Sequence, residues 1–256
     1  MMTKPIRNLL ILAAMAEEEA ALLKELAAIP GVHSSSRKIS PRLGIEVQEF
    51  TVGARRVQIA RSGIGPVNAA LTVAMIFEQS PPPDEILLLG VGGSLTPELE
   101  MGELVISDRI IQHDSFSSLD TGDHRMRAGD YILSIEEVAH KEVEILADPE
   151  LSTWLEERSR SETRVHRGAI LSGNEFVGRS ARKLELARLH PRALLVDMEA
   201  AGVAQIAHRL GVPFVVAKTV ADRLHPDGSI STDFSQSLEA AAANAARALR
   251  IALTHP

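Results

Sequence analysis

The chain contains no cysteine, one tryptophan, one tyrosine and six phenylalanines among 256 residues, so aromatic side chains make up only 3% of it. The lack of cysteine excludes disulfides, thiolate nucleophiles and cysteine-based zinc sites, and it agrees with a reducing, cytoplasmic setting. Few rings and a formal net charge of −7 leave neither the stacking platform nor the basic stripe that a nucleic acid requires. No run reaches the roughly 18 to 20 apolar residues of a membrane helix, and MMTKPIRNLLILAAMAEEE turns acidic where a signal peptide would carry a cleavage site. GxGxxG, GxxxxGK[ST], HExxH and GxSxG are all missing, which speaks against a dinucleotide cofactor, a P-loop, a zincin and a serine hydrolase. His113 and Asp114 are adjacent on one loop with no third ligand in register, so no metal is expected. Chemistry is left to carboxylates, histidines, hydroxyls and the backbone.

With 45% hydrophobic residues, the chain has ample material for one large core, and residues 1–256 read as a single domain. Short apolar runs recur at 6–14, 55–62, 85–92, 103–111, 165–171, 193–197 and 213–220. Several are continuous rather than alternating, as in strands buried on both faces. Helical spacing fills 17–29, 66–79, an acidic segment around 135–159, 178–190, 199–211 and 235–254, with Pro66 at a start and Gly211 at an end. The alternation predicts an α/β fold, a twisted, mainly parallel central sheet flanked by helices. Two polar stretches, 33–44 and 112–130, read as loops, the second long enough to be a lid.

In a parallel sheet the strands end at one edge, and acids placed there can meet. Glu17, Glu18 and Glu19 follow the first strand, Asp197 and Glu199 the sixth and Asp222 the last, with Asp108 a fourth case. Any one of them can simply cap a helix, as Asp197 is expected to do. MAEE and DMEA, however, set a methionine beside the acid. RSGIGPVNAA and LLGVGGSL add glycine turns through which a ligand can approach the backbone.

AAMAEEEAALL (13–23), RSGIGPVNAAL (61–71), GELVISD (102–108), LSGNEFV (171–177), VDMEAAGVAQIA (196–207) and VVAKTVAD (215–222) together resemble the nucleoside phosphorylase superfamily, and most of all its methylthioadenosine/S-adenosylhomocysteine nucleosidases. The resemblance implies a homodimer, needing no cofactor, that uses water to release adenine from a nucleoside whose 5′ carbon carries a thioether. It places Glu18 on the residue that activates water, Asp222 on the acid that protonates N7 and Glu199 on the partner of the ribose hydroxyls. Phe176 falls where the base stacks, Val177 where backbone reads its edge, and Met15 and Met198 beside the ribose. Ile64 and Phe234 fall around the sugar and its 5′ group. The chemistry is that of an inverting glycosidase, with one carboxylate activating water and one acid neutralising the leaving group.

The chain also departs from that pattern. Lys218 stands for the usual arginine near the substrate, Val91 and Ser94 alter a serine-bearing turn, Ala221 replaces a serine and Glu175 brings a charge beside the base. Phe116 and Met126 stand in for missing loop aromatics. Three alternatives therefore stay open. One is a phosphorylase using Arg61, another a hydrolase of futalosine-type nucleosides whose carboxylate meets Lys218, Arg125 or Arg127, and the third a non-catalytic nucleoside-binding protein.

Overall fold

A computed structural model describes residues 8–53, 55–79, 82–120, 122–125, 144–225, 227–230 and 234–254. The strands are β1 (Asn8–Ala13), β2 (His33–Ser40), β3 (Ile45–Val52), β4 (Arg55–Arg61), β5 (Glu85–Ser94), β6 (Leu104–Gln112), β7 (Phe116–Leu119), β8 (Gly122–Arg125), β9 (Glu144–Leu146), β10 (Val165–Ser172), β11 (Ala193–Asp197) and β12 (Phe214–Asp222). The helices are α1 (Ala16–Ala27), α2 (Pro66–Phe77), α3 (Pro149–Ser159), α4 (Ser180–Leu189), α5 (Ala200–Leu210) and α6 (Phe234–Thr254).

The continuous apolar runs became the central strands. Every residue of β1 and β12 is buried, because helices cover both faces there. On one face α2 and α5 pack Val73, Ile76, Val203 and Ala207 against Leu10, Leu12, Ile86 and Leu88. On the other, Leu22 and Leu26 of α1, Leu151 and Leu155 of α3 and the alanine-rich side of α6 cover Ile11, Ile59 and Leu87. Small residues at Ala245, Ala248 and Ala252 let α6 lie close to the sheet.

The expectation of a mainly parallel sheet needs correction, since the sheet is mixed and closes on itself. Its order is β11-β10-β6-β12-β5-β1-β4-β3-β2, and a further pairing of β11 with β5 turns β5, β12, β6, β10 and β11 into a barrel. Closure is possible because β6 runs antiparallel to β12, and β11 antiparallel to β5. The segment 33–44, expected as a loop, is mostly β2, an edge strand whose first four residues are exposed. Without a buried face it carries no apolar alternation to betray it. β3 was likewise absent from the expected strands and joins β2 to β4 through antiparallel pairing.

The 112–130 stretch, expected to be irregular, starts at the end of β6 and then forms the β7–β8 hairpin. Met126, Arg127 and the first part of the acidic 135–159 segment lie outside the described residues, as do the side chains of Arg125 and Phe234. Among the described residues, no helix is long and apolar enough to cross a membrane.

Candidate active site

Where the barrel strands end, one pocket is walled by Ala14, Met15 and Glu18 behind β1, Val91, Gly92 and Gly93 of β5, Glu175, Phe176 and Val177 after β10, Asp197 to Glu199 after β11, and Asp222 of β12, with Ile64 at its mouth. Eight residues singled out in the sequence, Met15, Glu18, Ile64, Phe176, Val177, Met198, Glu199 and Asp222, therefore share one cavity. Phe176 and Ile64 keep 63% and 52% of their surface exposed, whereas the three carboxylates are all but buried.

Glu18 opens the inward stripe of α1, followed at helical spacing by Leu22 and Leu26. Its Oε2 accepts from the backbone N–H groups of Ala14 (2.8 Å) and Met15 (2.9 Å), and its Oε1 from Val91 N–H (2.9 Å). Met15 N–H is the N-cap donor of the helix, so the carboxylate caps its own helix while facing the pocket. The glycine turn of β5 makes room for it: a Cβ on Gly90 would lie 2.3 Å from Glu18 Oε1. That glycine serves a protein side chain, where the sequence suggested an approaching ligand.

Glu199 Oε1 accepts from Gly65 N–H (3.1 Å), which ties the end of β11 to the glycine turn before α2. Its Oε2 meets Lys218 Nζ at 3.1 Å, and the same ammonium lies 3.1 Å from Asp197 Oδ2. Asp197 also accepts from Ala200 N–H at 3.2 Å, the capping role its position suggested. Lys218, expected against the substrate, does not line the pocket. It is wholly buried behind the carboxylates. Burial alone would strip its proton, but Asp197, Glu199 and Glu18 outweigh that and hold it charged well above the usual lysine range.

Asp222 lies at the end of β12. Its Oδ2 is 2.7 Å from Lys183 Nζ, and its Oδ1 is buried with no hydrogen-bond partner. Lys183 was missed in the sequence because α4 reads there as an ordinary charged helix. The signal was its register: Lys183, Leu186 and His190 sit at i, i+3 and i+7, and all three are buried.

The neighbouring loops are held by charge. Asp114 accepts from Asn174 N–H (2.7 Å) and from Gln112 Nε2 (2.8 Å), anchoring the turn that presents Phe176. Burial would raise the Asp114 carboxyl, yet these donors keep it below the usual range. Burial pushes His113 down, toward its neutral form. Glu175, on the pocket wall, is gripped by Arg182 Nε and Nη2 at 2.9 Å each. Arg61 meets Glu19 at 3.6 Å and is not among the wall residues. Asp108 belongs elsewhere, paired with Arg109, and no group of three potential metal ligands occurs among the described residues.

Comparison with known proteins agrees with this arrangement. Residues 8–254 match the family model described as the phosphorylase superfamily. A 5′-methylthioadenosine/S-adenosylhomocysteine nucleosidase of Maridesulfovibrio salexigens is 30% identical over 188 residues, covering 72% of this chain and 75% of its own. The structure of the nucleosidase of the same name from Neisseria meningitidis, in complex with methylthio-immucillin-A, superposes with a TM-score of 0.76 at 27% identity, over 97% of this chain and 99% of that one. A futalosine hydrolase of Helicobacter pylori shares the fold, with a TM-score of 0.77 at 24% identity over 96% and 97% of the two chains.

Proposed function

The chain belongs to the phosphorylase superfamily, in its 5′-methylthioadenosine/S-adenosylhomocysteine nucleosidase branch, and on that premise we propose that its pocket hydrolyses the N-glycosidic bond of those two nucleosides and releases adenine. The observation that carries hydrolysis over phosphorolysis is the charge of the walls. Glu18, Glu175, Asp197, Glu199 and Asp222 line the pocket and, among the described residues, neither lysine nor arginine does, so a phosphate dianion would be repelled where water is welcome. Arg61, the cation a phosphorylase would need, is engaged by Glu19.

Each assigned role has a physical basis. Adenine stacks on Phe176 and its edge meets the backbone at Val177, while Met15 and Met198 pack the ribose and Ile64 the 5′ group. Glu199 accepts from the ribose hydroxyls, and its negative charge favours the cationic sugar that forms as the bond breaks. Glu18 takes a proton from water, whose oxygen attacks C1′. The C1′–N9 electron pair passes into the purine, and Asp222 delivers a proton to N7. Three N–H donors on Glu18 suit the anion a base must be, whereas the unpartnered Oδ1 of Asp222 suits a proton donor. Lys218 touches no ligand in this reading and instead holds Glu199 in place.

The apolar Ile64 at the pocket mouth favours a thioether over an aromatic carboxylate at the 5′ position, and with Lys218 sealed away the futalosine-type reading loses one of its three candidate cations. We also propose that two copies pair through the exposed Ile64, Val67 and Leu71 at the start of α2, beside the pocket mouth.

The test is adenine release from 5′-methylthioadenosine in phosphate-free buffer, repeated with phosphate. Release without phosphate, with free methylthioribose as co-product, is expected. Release only with phosphate would make the enzyme a phosphorylase, and none in either buffer would move the assignment to a different 5′ group.

A further inference from the structure

Lys183 is a charged side chain with no exposed surface, an arrangement that costs several kcal/mol unless every proton finds a partner. Its ammonium has three hydrogens and three acceptors: Asp222 Oδ2 at 2.7 Å, Ser94 O at 3.2 Å and Asp222 O at 3.5 Å. Space for it is kept by Gly93, where a Cβ would come within 2.8 Å of Nζ and 3.4 Å of Asp222 Oδ2. Gly93 is also the register partner of Asp222 across β5 and β12. One helix, one glycine and two carbonyls thus immobilise a single carboxyl oxygen and leave the other, Oδ1, buried and without a partner.

Resting on the nucleosidase reading, we propose that Lys183 is a positioning residue for purine departure: it pins Asp222 by Oδ2 so that Oδ1 alone serves the base, and it stabilises the carboxylate left behind when the proton moves to N7. In that step the Oδ1–H bond breaks as N7–H forms, the C1′–N9 pair enters the purine, and Asp222 ends as an anion facing the ammonium. The attraction is greatest once transfer has begun, so it lowers the barrier and not only the ground state. Burial lowers the Lys183 amine and the neighbouring Asp222 opposes that, which keeps the ammonium dependent on this one carboxyl.

Other charged groups around Asp222 are already committed. Glu18 is held by backbone N–H groups, Asp197 and Glu199 by Lys218, Glu175 by Arg182, and the adjacent Arg223 by Glu100. From α6, Ser237 Oγ donates to Ala221 O and contributes no charge. Lys183 is therefore the cation in direct contact with the acid.

The test replaces Lys183 by Met, or by Gln where the methionine variant does not fold. Without the neighbouring cation Asp222 keeps its proton to higher pH, so the alkaline limb of kcat/KM should move up by about one pH unit or more. Because the acid is then weaker, kcat for a purine nucleoside should fall on the order of tenfold or more. A 4-nitrophenyl riboside, whose leaving group needs no proton, should lose far less, and Lys183→Arg should restore the limb. An unmoved limb with equal slowing of both substrates would overturn the proposal and leave Lys183 a structural residue. A ¹³C titration of the Asp222 carboxyl separates the two readings. If the parent protein cleaves no purine nucleoside but the titration still rises in the variant, the reaction assignment falls and the Lys183–Asp222 coupling stands. A titration unchanged in the variant sinks the coupling whatever the activity.

Discussion

Replacing Lys218 by methionine should be among the most damaging single changes in the molecule. The two side chains have similar length and volume, so the core is not hollowed and the loss is electrostatic. The ammonium lies 3.1 Å from both Asp197 and Glu199 with no access to water, and Glu18 adds a third negative charge to its surroundings. Removing one member of a buried ion pair costs about 3–5 kcal/mol, because the partner's charge stays behind uncompensated. Set against a total stability of about 5–15 kcal/mol, that loss brings the variant close to unfolding at pH 8. The deficit should depend on pH with a definite sign. Without Lys218 the stranded carboxylates hold protons more tightly in the folded state than in the unfolded chain. The penalty is therefore complete above their folded values and disappears as acid neutralises them. Urea unfolding of parent and variant at pH 8 and at pH 5 measures both effects. A deficit under about 1 kcal/mol at pH 8, or one that does not narrow at pH 5, would refute the account of Lys218 as the counter-ion of this site.

Three further outcomes are expected. Glu18→Gln should lower turnover by about 10²- to 10⁴-fold and, because its amide nitrogen must face an N–H that the carboxylate accepted from, cost about 1–3 kcal/mol in urea unfolding, and near-normal turnover would remove Glu18 from its role. Gly90→Ala places a Cβ 2.3 Å from Glu18 Oε1 and 2.9 Å from its Cδ, so it should cost about 1–3 kcal/mol and most of the activity, and a fully active variant of parental stability would contradict the packing described. Glu85, at the opposite end of β5 from the pocket residues Val91 to Gly93, is pushed up to about 7, by burial first and then by Asp148, Asp84 and Glu150. A raised acid loses stability as pH climbs from its unfolded value through its folded one, here from about 4.5 to about 7. The full shift corresponds to roughly 3 kcal/mol, which solvent around the half-buried group reduces to about 1–2. Glu85→Gln should gain that much on the parent between pH 4 and pH 8 in thermal unfolding, and a pH-independent difference would show that the site is better hydrated than its geometry implies.

What could be read from the sequence follows a physical divide. Strands buried on both faces, such as β1 and β12, announce themselves as unbroken apolar runs, and the acids at their ends were legible because parallel strands finish at a common edge. β2 has no such signature, since His33 to Ser36 face solvent and the strand exists through pairing with β3. Barrel closure was equally hidden, because the register of Val196 on Gly93 is a relation between segments about a hundred residues apart and not a local preference. Partner choice among charges was the other blind spot. Nothing in VVAKTVAD says that Lys218 turns away from the cavity, and nothing in SARKLEL says that Lys183 turns toward Asp222. Asp197 was easier, since an acid three residues before a helical N–H is a local matter.

The pairing of β11 with β5 also decides when the protein becomes an enzyme. Pocket residues run from Ala14 to Asp222 in short groups remote from one another in the chain, and the distances between those groups are not set by chain neighbours. Loop-closure entropy must be met before contacts of such long range repay it, so the site forms late in folding. A refolding chain will regain helical signal ahead of turnover, and a truncated one lacking β12 will have no partial activity to measure. Recovery of catalysis is thus a clock for the last event of folding, the moment at which the barrel shuts.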